Sequence, residues 1–165
     1  MASTVVSENL KVRITETINL NGQNQGSTNT LIIPSIANVV KRIVNIGTDE
    51  IGLLGFGTAY NTELSKTYLA GQFDEDTVRY IRITNLDDDN HIALVLKNEN
   101  NDEFGVKVDK GCSFIYGVDL SAGVVDTMDS ADAAGITPDS FGDLVDVTCA
   151  ANSAACDVEV FVAST

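Results

Sequence analysis

The sequence predicts an all-β domain, an antiparallel β-sandwich of jelly-roll or Greek-key type with one long crossover connection. Three observations carry that expectation. From Val78 to Gly117 the chain divides into four runs whose apolar residues recur at every second position, separated by short polar turns such as Asp87-Asp88-Asp89-Asn90. Alternation of this kind buries one face of a strand and wets the other, as antiparallel sheets do and cofactor-cradling βαβ units do not. Near the C-terminus, Val145, Val147 and Cys149, then Cys156, Val158, Val160 and Val162, make two more such stripes. Between these regions, Val118 to Phe141 is small, polar and irregular, as a connection spanning a Greek-key crossover would be.

Taken in order, residues 1–9 read as a polar N-terminal arm and residues 10–165 as a single β-sandwich domain. Lys11 to Leu20 places Val12, Ile14, Ile18 and Leu20 on one face of a first strand, with Arg13, Thr15, Thr17 and Asn19 on the other. Asn21 to Asn29 contains Gly22 and Gly26 and no apolar residue, which predicts a solvent-exposed turn or loop. The next run, Thr30 to Ile33, meets Pro34, whose missing N–H favours a strand end or a sheet edge. Val39 to Ile46 follows as a strand with Val40, Val44 and Ile46 on one side and Val39, Lys41, Ile43 and Asn45 on the other; its β-branched residues outweigh a helical alternative over Ile36 to Val44. Ile51 to Phe56 reads as a short strand, with another near Thr67 in a glycine-rich region.

The four runs after Val78 then predict a meander, with Phe104, Phe114 and Tyr116 among the core residues. Thr137-Pro138 could cap one helical turn reaching Phe141. The last two strands predict a hairpin turning at Asn152-Ser153, pairing Val145 with Val160, Val147 with Val158 and Cys149 with Cys156.

A chain of 165 residues can bury a substantial core without disulfides or metals. Its formal charge of −14 repels nucleic-acid phosphates and anionic lipid heads, so neither nucleic acid nor membrane is an expected partner. The N-terminus has no signal-peptide pattern, and no stretch approaches the roughly 20 apolar residues of a membrane-spanning helix. Three cysteines without a CxxC suit neither a disulfide framework nor a zinc site, and point to a reducing place of synthesis.

No constellation specifies a chemistry. Cys149 and Cys156 could bridge or share a metal, but both continue valine stripes and read as thiols packed in the core; Cys112 sits in the same kind of stripe. The single histidine, His91, follows a hydrophilic turn, and no GxSxG elbow accompanies it. Asp87-Asp88-Asp89 has the carboxylates of a calcium loop, yet Ile92 and Asn98 stand where an EF-hand needs glycine and glutamate. The absence of tryptophan argues against a sugar platform. The expected catalytic, cofactor and metal residues are therefore none, and the chain is expected not to be an enzyme.

Three segments carry a resemblance: Val78-Arg-Tyr-Ile-Arg-Ile-Thr-Asn-Leu-Asp, Lys110-Gly-Cys-Ser-Phe-Ile-Tyr-Gly and Cys156-Asp-Val-Glu-Val-Phe-Val. In these the chain resembles small virion structural proteins of tailed bacteriophages, particularly of marine and cyanobacterial hosts, and among them capsid decoration (cement) proteins. The resemblance covers the C-terminal half and implies a virion location, assembly in the host cytoplasm, a homo-oligomer, and the major capsid protein or other virion proteins as partners. It carries over no functional residue. Candidate partner contacts come instead from the polar arm and loop: Ser3, Thr4, Ser7, Asn21, Gln23 and Asn24. A tail, neck or fibre-attachment component, and a carbohydrate- or calcium-binding β-sandwich module, remain alternatives.

Overall fold

The computed structural model describes residues 6–57, 68–117 and 141–165. In chain order the described strands are β1 (Glu8–Thr15), β2 (Asn19–Leu20), β3 (Gln23–Asn24), β4 (Thr28–Ile36), β5 (Asn38–Ile46), β6 (Ile51–Phe56), β7 (Gln72–Phe73), β8 (Val78–Asn85), β9 (Ile92–Asn98), β10 (Glu103–Val108), β11 (Ser113–Tyr116), β12 (Leu144–Ala151) and β13 (Cys156–Ser164). The fold is all-β. One sheet has the order β11-β8-β13-β5 and the other β10-β9-β12-β6-β7; every pairing is antiparallel except the short β6–β7 contact.

Connectivity across the two sheets follows one rule. Four segments, β5–β6, β8–β9, β10–β11 and β12–β13, each cross from one sheet to the other, the chain also changes sheet from β7 to β8 and from β11 to β12, and the two halves of each crossing segment keep the same neighbours in both sheets. Eight strands wound in this way are a jelly roll, the more specific of the two architectures that the alternation allowed. The connection from β11 to β12 joins the edge of one sheet to the middle of the other, as a crossover does. Residues 118–140 of that connection, including the expected helical turn at Pro138, lie outside the described residues, as does the strand expected near Thr67.

Between the sheets lies a core in which Ile46, Leu53, Leu54, Ile83, Ile92 and Leu94 are wholly buried. Burying an aliphatic side chain of this size contributes about 1.5–3 kcal/mol, so the alternation fixes which face of each strand turns inward. The crossings are knitted together at one end of the sandwich. Asn85, fully buried, donates its side-chain amide to the Asn90 carbonyl at 2.8 Å and to the Val108 carbonyl at 3.3 Å, while its oxygen accepts the Asp87 N–H at 3.0 Å. On the outer side of the second sheet, the Tyr68 ring covers Gly55, where an added Cβ would stand 2.5 Å from the ring. Burial, and then the charge of Asp146, push the Tyr68 hydroxyl above its usual range.

Two expected pairings are corrected. The runs after Val78 are not a meander: β9 and β10 form a hairpin in one sheet, while β8 pairs with β11 in the other. Nor are β12 and β13 a hairpin, because β12 pairs with β6 and β9 whereas β13 pairs with β5 and β8. Cys149 and Cys156 therefore belong to different sheets, both buried as free thiols. A bulge opposite β9 between Leu144 and Asp146 also turns Leu144 into the core in place of Val145. Cys112 is exposed rather than part of a core stripe, and Phe104, on an edge strand with no neighbour beyond it in the sheet order, is 51% exposed.

Candidate interaction surface

The first 30 described residues build a structure that the eight-stranded body does not need. From Leu10 onward β1 pairs with β4 and β2 with β3 in one register, Leu10 opposite Ile33, Thr15 opposite Thr28 and Leu20 opposite Gln23. Between the strand segments the ladder persists, with Glu16 N–H donating to the Ser27 carbonyl at 2.8 Å and Gln25 N–H to the Ile18 carbonyl at 3.0 Å. Asn21-Gly22 forms the reversal with φ of 52° and 76°, positive at both positions as a type I′ hairpin turn requires. The expected loop from Asn21 to Asn29 is thus the tip and return strand of a long hairpin. Gly26 is required there, since a Cβ would collide with the Glu16 carbonyl. Pro34 does not end β4. It sits in a bulge opposite the Glu8–Leu10 step, followed by Ser35 at φ 63°, and this bulge lets the strand continue to Ile36.

Register decides what each face of this arm carries. Leu10, Val12, Ile14, Ile18 and Leu20 share one face with Leu31 and Ile33, and Glu16 is set among them; the opposite face is polar apart from Ile32. At its base the apolar face is covered, where Ile33 and Ile36 are buried against Tyr80 and Ala163, with Leu10, Val12 and Phe161 around them. Leu31 packs beside Gly117, just past the edge strand β11. Beyond it Ile14, Ile18 and Leu20 are 46%, 46% and 54% exposed. At about 3.3 Å per residue, this open stretch runs on the order of 20 Å.

The sheet under the arm shows a second uncovered feature. Among the described residues β5 pairs with β13 alone, so a nine-residue edge, Asn38–Ile46, has no second neighbour in the sheet. Its outward residues read apolar, basic, apolar: Val39 and Ile43 are exposed on either side of Lys41. Lys41 Nζ lies 2.8 Å from Glu159, which Arg82 also holds at 2.5 Å, and the Arg82 guanidinium sits 5.9 Å from the centre of the Phe161 ring. Hydrogen bonds from Lys41, and then from Arg82, hold the Glu159 carboxyl below the usual range.

Of the contact residues expected from sequence, Ser3 and Thr4 lie outside the described residues. Ser7 is exposed just before β1 at the base of the arm, while Asn21, Gln23 and Asn24 are exposed together at its tip, so the structure separates Ser7 from the other three. Sequence reasoning found the apolar stripe between them but not that its outer part is uncovered, since it reads as an ordinary buried strand face until the hairpin is recognised. Asn21-Gly22 was the available signal.

His91 binds Asn152 through its backbone. The Asp87 carboxylate accepts the N–H groups of Asn90 and Asp89, at 2.5 and 2.8 Å, which lower its pKa and bend the turn. Among the described residues, no group of three or more His, Cys, Asp or Glu side chains is placed to hold a metal ion. Comparison with protein-family models and with curated proteins finds no match to this chain.

Proposed function

We propose that this chain is a virion structural protein that works by contact rather than by chemistry, and specifically a capsid decoration (cement) protein that binds and stabilises a phage head shell. The observation that carries the reading is the arm: a two-stranded hairpin projecting from a finished jelly roll, with Ile14, Ile18 and Leu20 uncovered on one face. A two-stranded ribbon is marginally stable alone in water, and an uncovered apolar face on it gains most by docking. The resemblance of the C-terminal segments to phage virion proteins supplies the kind of partner, the major capsid protein or other virion proteins. Jelly rolls recur among capsid domains, which agrees with the reading without singling it out, since lectins share the architecture.

Magnitudes favour action in numbers. Fully burying three such side chains contributes roughly 5–9 kcal/mol at most, less because each is already half covered, against an association cost of about 4–15 kcal/mol. One arm alone binds weakly; a symmetric set binding many sites on a shell binds firmly.

Immunogold imaging of assembled particles, with co-sedimentation of the purified chain and its Ile18→Asp/Leu20→Asp variant with particles lacking it, tests this. Label on the head and a variant that stays in the supernatant are expected. Label on the neck or tail would replace the decoration role with a tail-component role. Absence of label, together with glycan binding or a calcium-dependent rise in Tm, would overturn the virion reading.

A further inference from the structure

We propose that the arm's partner is a second copy of this chain, and that the outer edge of the arm's first strand, β1 and its continuation through Glu16 and Ile18 to β2, pairs on one copy with the open edge of β5 on another. The proposal rests on the reading of the arm as a contact element and names what it contacts.

Three observations converge. Each element has an unfilled edge: among the described residues β1 is bonded to β4 alone and β5 to β13 alone, so on both one row of backbone N–H and C=O groups has no partner strand there. Long open edges usually carry a protecting proline, bulge or charge; β5 has no proline and runs without a register shift against β13, and what guards it is charge alone, Lys41 outward and Arg42 on the face of Val160. Joining the edges gives the marginal two-stranded arm the further strands it lacks.

Side chains on the two edges also match. The arm offers Ile14, Glu16 and Ile18 at two-residue spacing on one face, and β5 offers Val39, Lys41 and Ile43 at the same spacing. Whether the strands run parallel or antiparallel, setting Glu16 opposite Lys41 places each isoleucine of the arm beside an apolar residue of β5. Lys41 would exchange its 2.8 Å contact with Glu159 for the new carboxylate, and Glu159 would keep Arg82 at 2.5 Å.

Net charge singles out the same region. Residues 1–46 hold four basic and two acidic residues, a balance of +2, whereas residues 47–165 hold six basic and 22 acidic, a balance of −16, and the two sum to the −14 of the whole. Two copies approaching body to body repel, and the arm with β5 is the part of the surface on which they can meet.

Sedimentation velocity of the full-length protein at low ionic strength, over a range of concentrations, is the test. The wild-type chain is expected to self-associate, Glu16→Lys and Lys41→Glu each to weaken association at least five-fold, and the double exchange Glu16→Lys/Lys41→Glu to recover it to within about three-fold. Both substituted side chains are exposed, and circular dichroism checks that each of the three variants is folded. A wild-type chain that stays monomeric, single variants that associate normally, or a double variant without recovery would each overturn the proposal. Particle binding plays no part in this measurement, so the virion reading can fail while this one stands, and the reverse.

Discussion

His91 and Asn152 are joined by a reciprocal pair of hydrogen bonds: the His91 N–H donates to the Asn152 side-chain oxygen at 3.1 Å, and the Asn152 N–H donates to the His91 carbonyl at 3.1 Å. Two of the sheet crossings are pinned to one another there, with Ser153 Oγ reaching Asn90 Oδ1 at 2.5 Å beside them. The single histidine thus contributes its backbone to a corner of the jelly roll, and none of these bonds uses its ring.

Replacing Asn152 by Ala removes the acceptor and is expected to destabilise by about 0.5–1.5 kcal/mol, the ordinary worth of one such bond. Replacing His91 by Gln keeps the backbone pair and should change stability by less than about 0.5 kcal/mol. Urea denaturation of both variants checks the contrast, and a larger loss at His91 would show that the imidazole has work of its own.

Asn85 is the more demanding position. Its side chain fills three hydrogen-bonding roles at a crossing while wholly buried. Ala in its place leaves the Asn90 and Val108 carbonyls and the Asp87 N–H without that partner, a loss of roughly 2–4 kcal/mol for several buried groups together. Asp at this position accepts but does not donate, and the two carbonyls would face a carboxylate, so it should be no better than Ala in thermal unfolding.

Thiol accessibility should divide the cysteines. Burial, and then the neighbouring Cys156, push the Cys149 thiol up to about 12, and burial raises Cys156 as well, whereas Cys112 is exposed. A thiol reagent at pH 8 is expected to modify Cys112 in the native protein and all three cysteines after unfolding. The linkage sign is definite. A thiol that ionises more readily in the unfolded chain favours unfolding once pH exceeds the unfolded value, so the Cys149 contribution declines from about pH 9 toward about 12. Cys149→Ala should flatten that alkaline decline in a pH series of denaturation midpoints.

Glu159 acts at the other end of the pH scale. Its folded pKa lies below the ordinary value because Lys41 and then Arg82 bond its carboxylate. Its contribution is present above the unfolded carboxylate pKa and is lost as pH falls through the folded one. Glu159→Gln should therefore lose stability at neutral pH and differ less from wild type in acid, when midpoints are compared across the two ranges.

The faces of the body strands were legible in the sequence. In β13, Cys156, Val158, Val160 and Val162 are all inward, as their spacing demands. The β5 faces were equally legible: Ile46 is inward, and Val39 and Ile43 are outward. The arm was half legible. The alternation of Val12, Ile14, Ile18 and Leu20 is real, but alternation carries no mark saying whether a second layer covers it, and among the described residues the cover lies along the base.

By itself the sequence determined the class of the fold and which side of most strands is apolar, because a period of two is a property of each strand alone. Whether neighbouring strands lie side by side or face each other across the core was decided by tertiary structure. Val147 and Val158 are buried equally well in either arrangement, so hydrophobic burial cannot choose between a hairpin and a sheet crossing. The choice rests on backbone geometry at the corners, held by Asn85, Asn152 and their partners, and on long-range ladders that no local pattern records. The same limit applies to the arm: its open stripe exists because the body is complete without it.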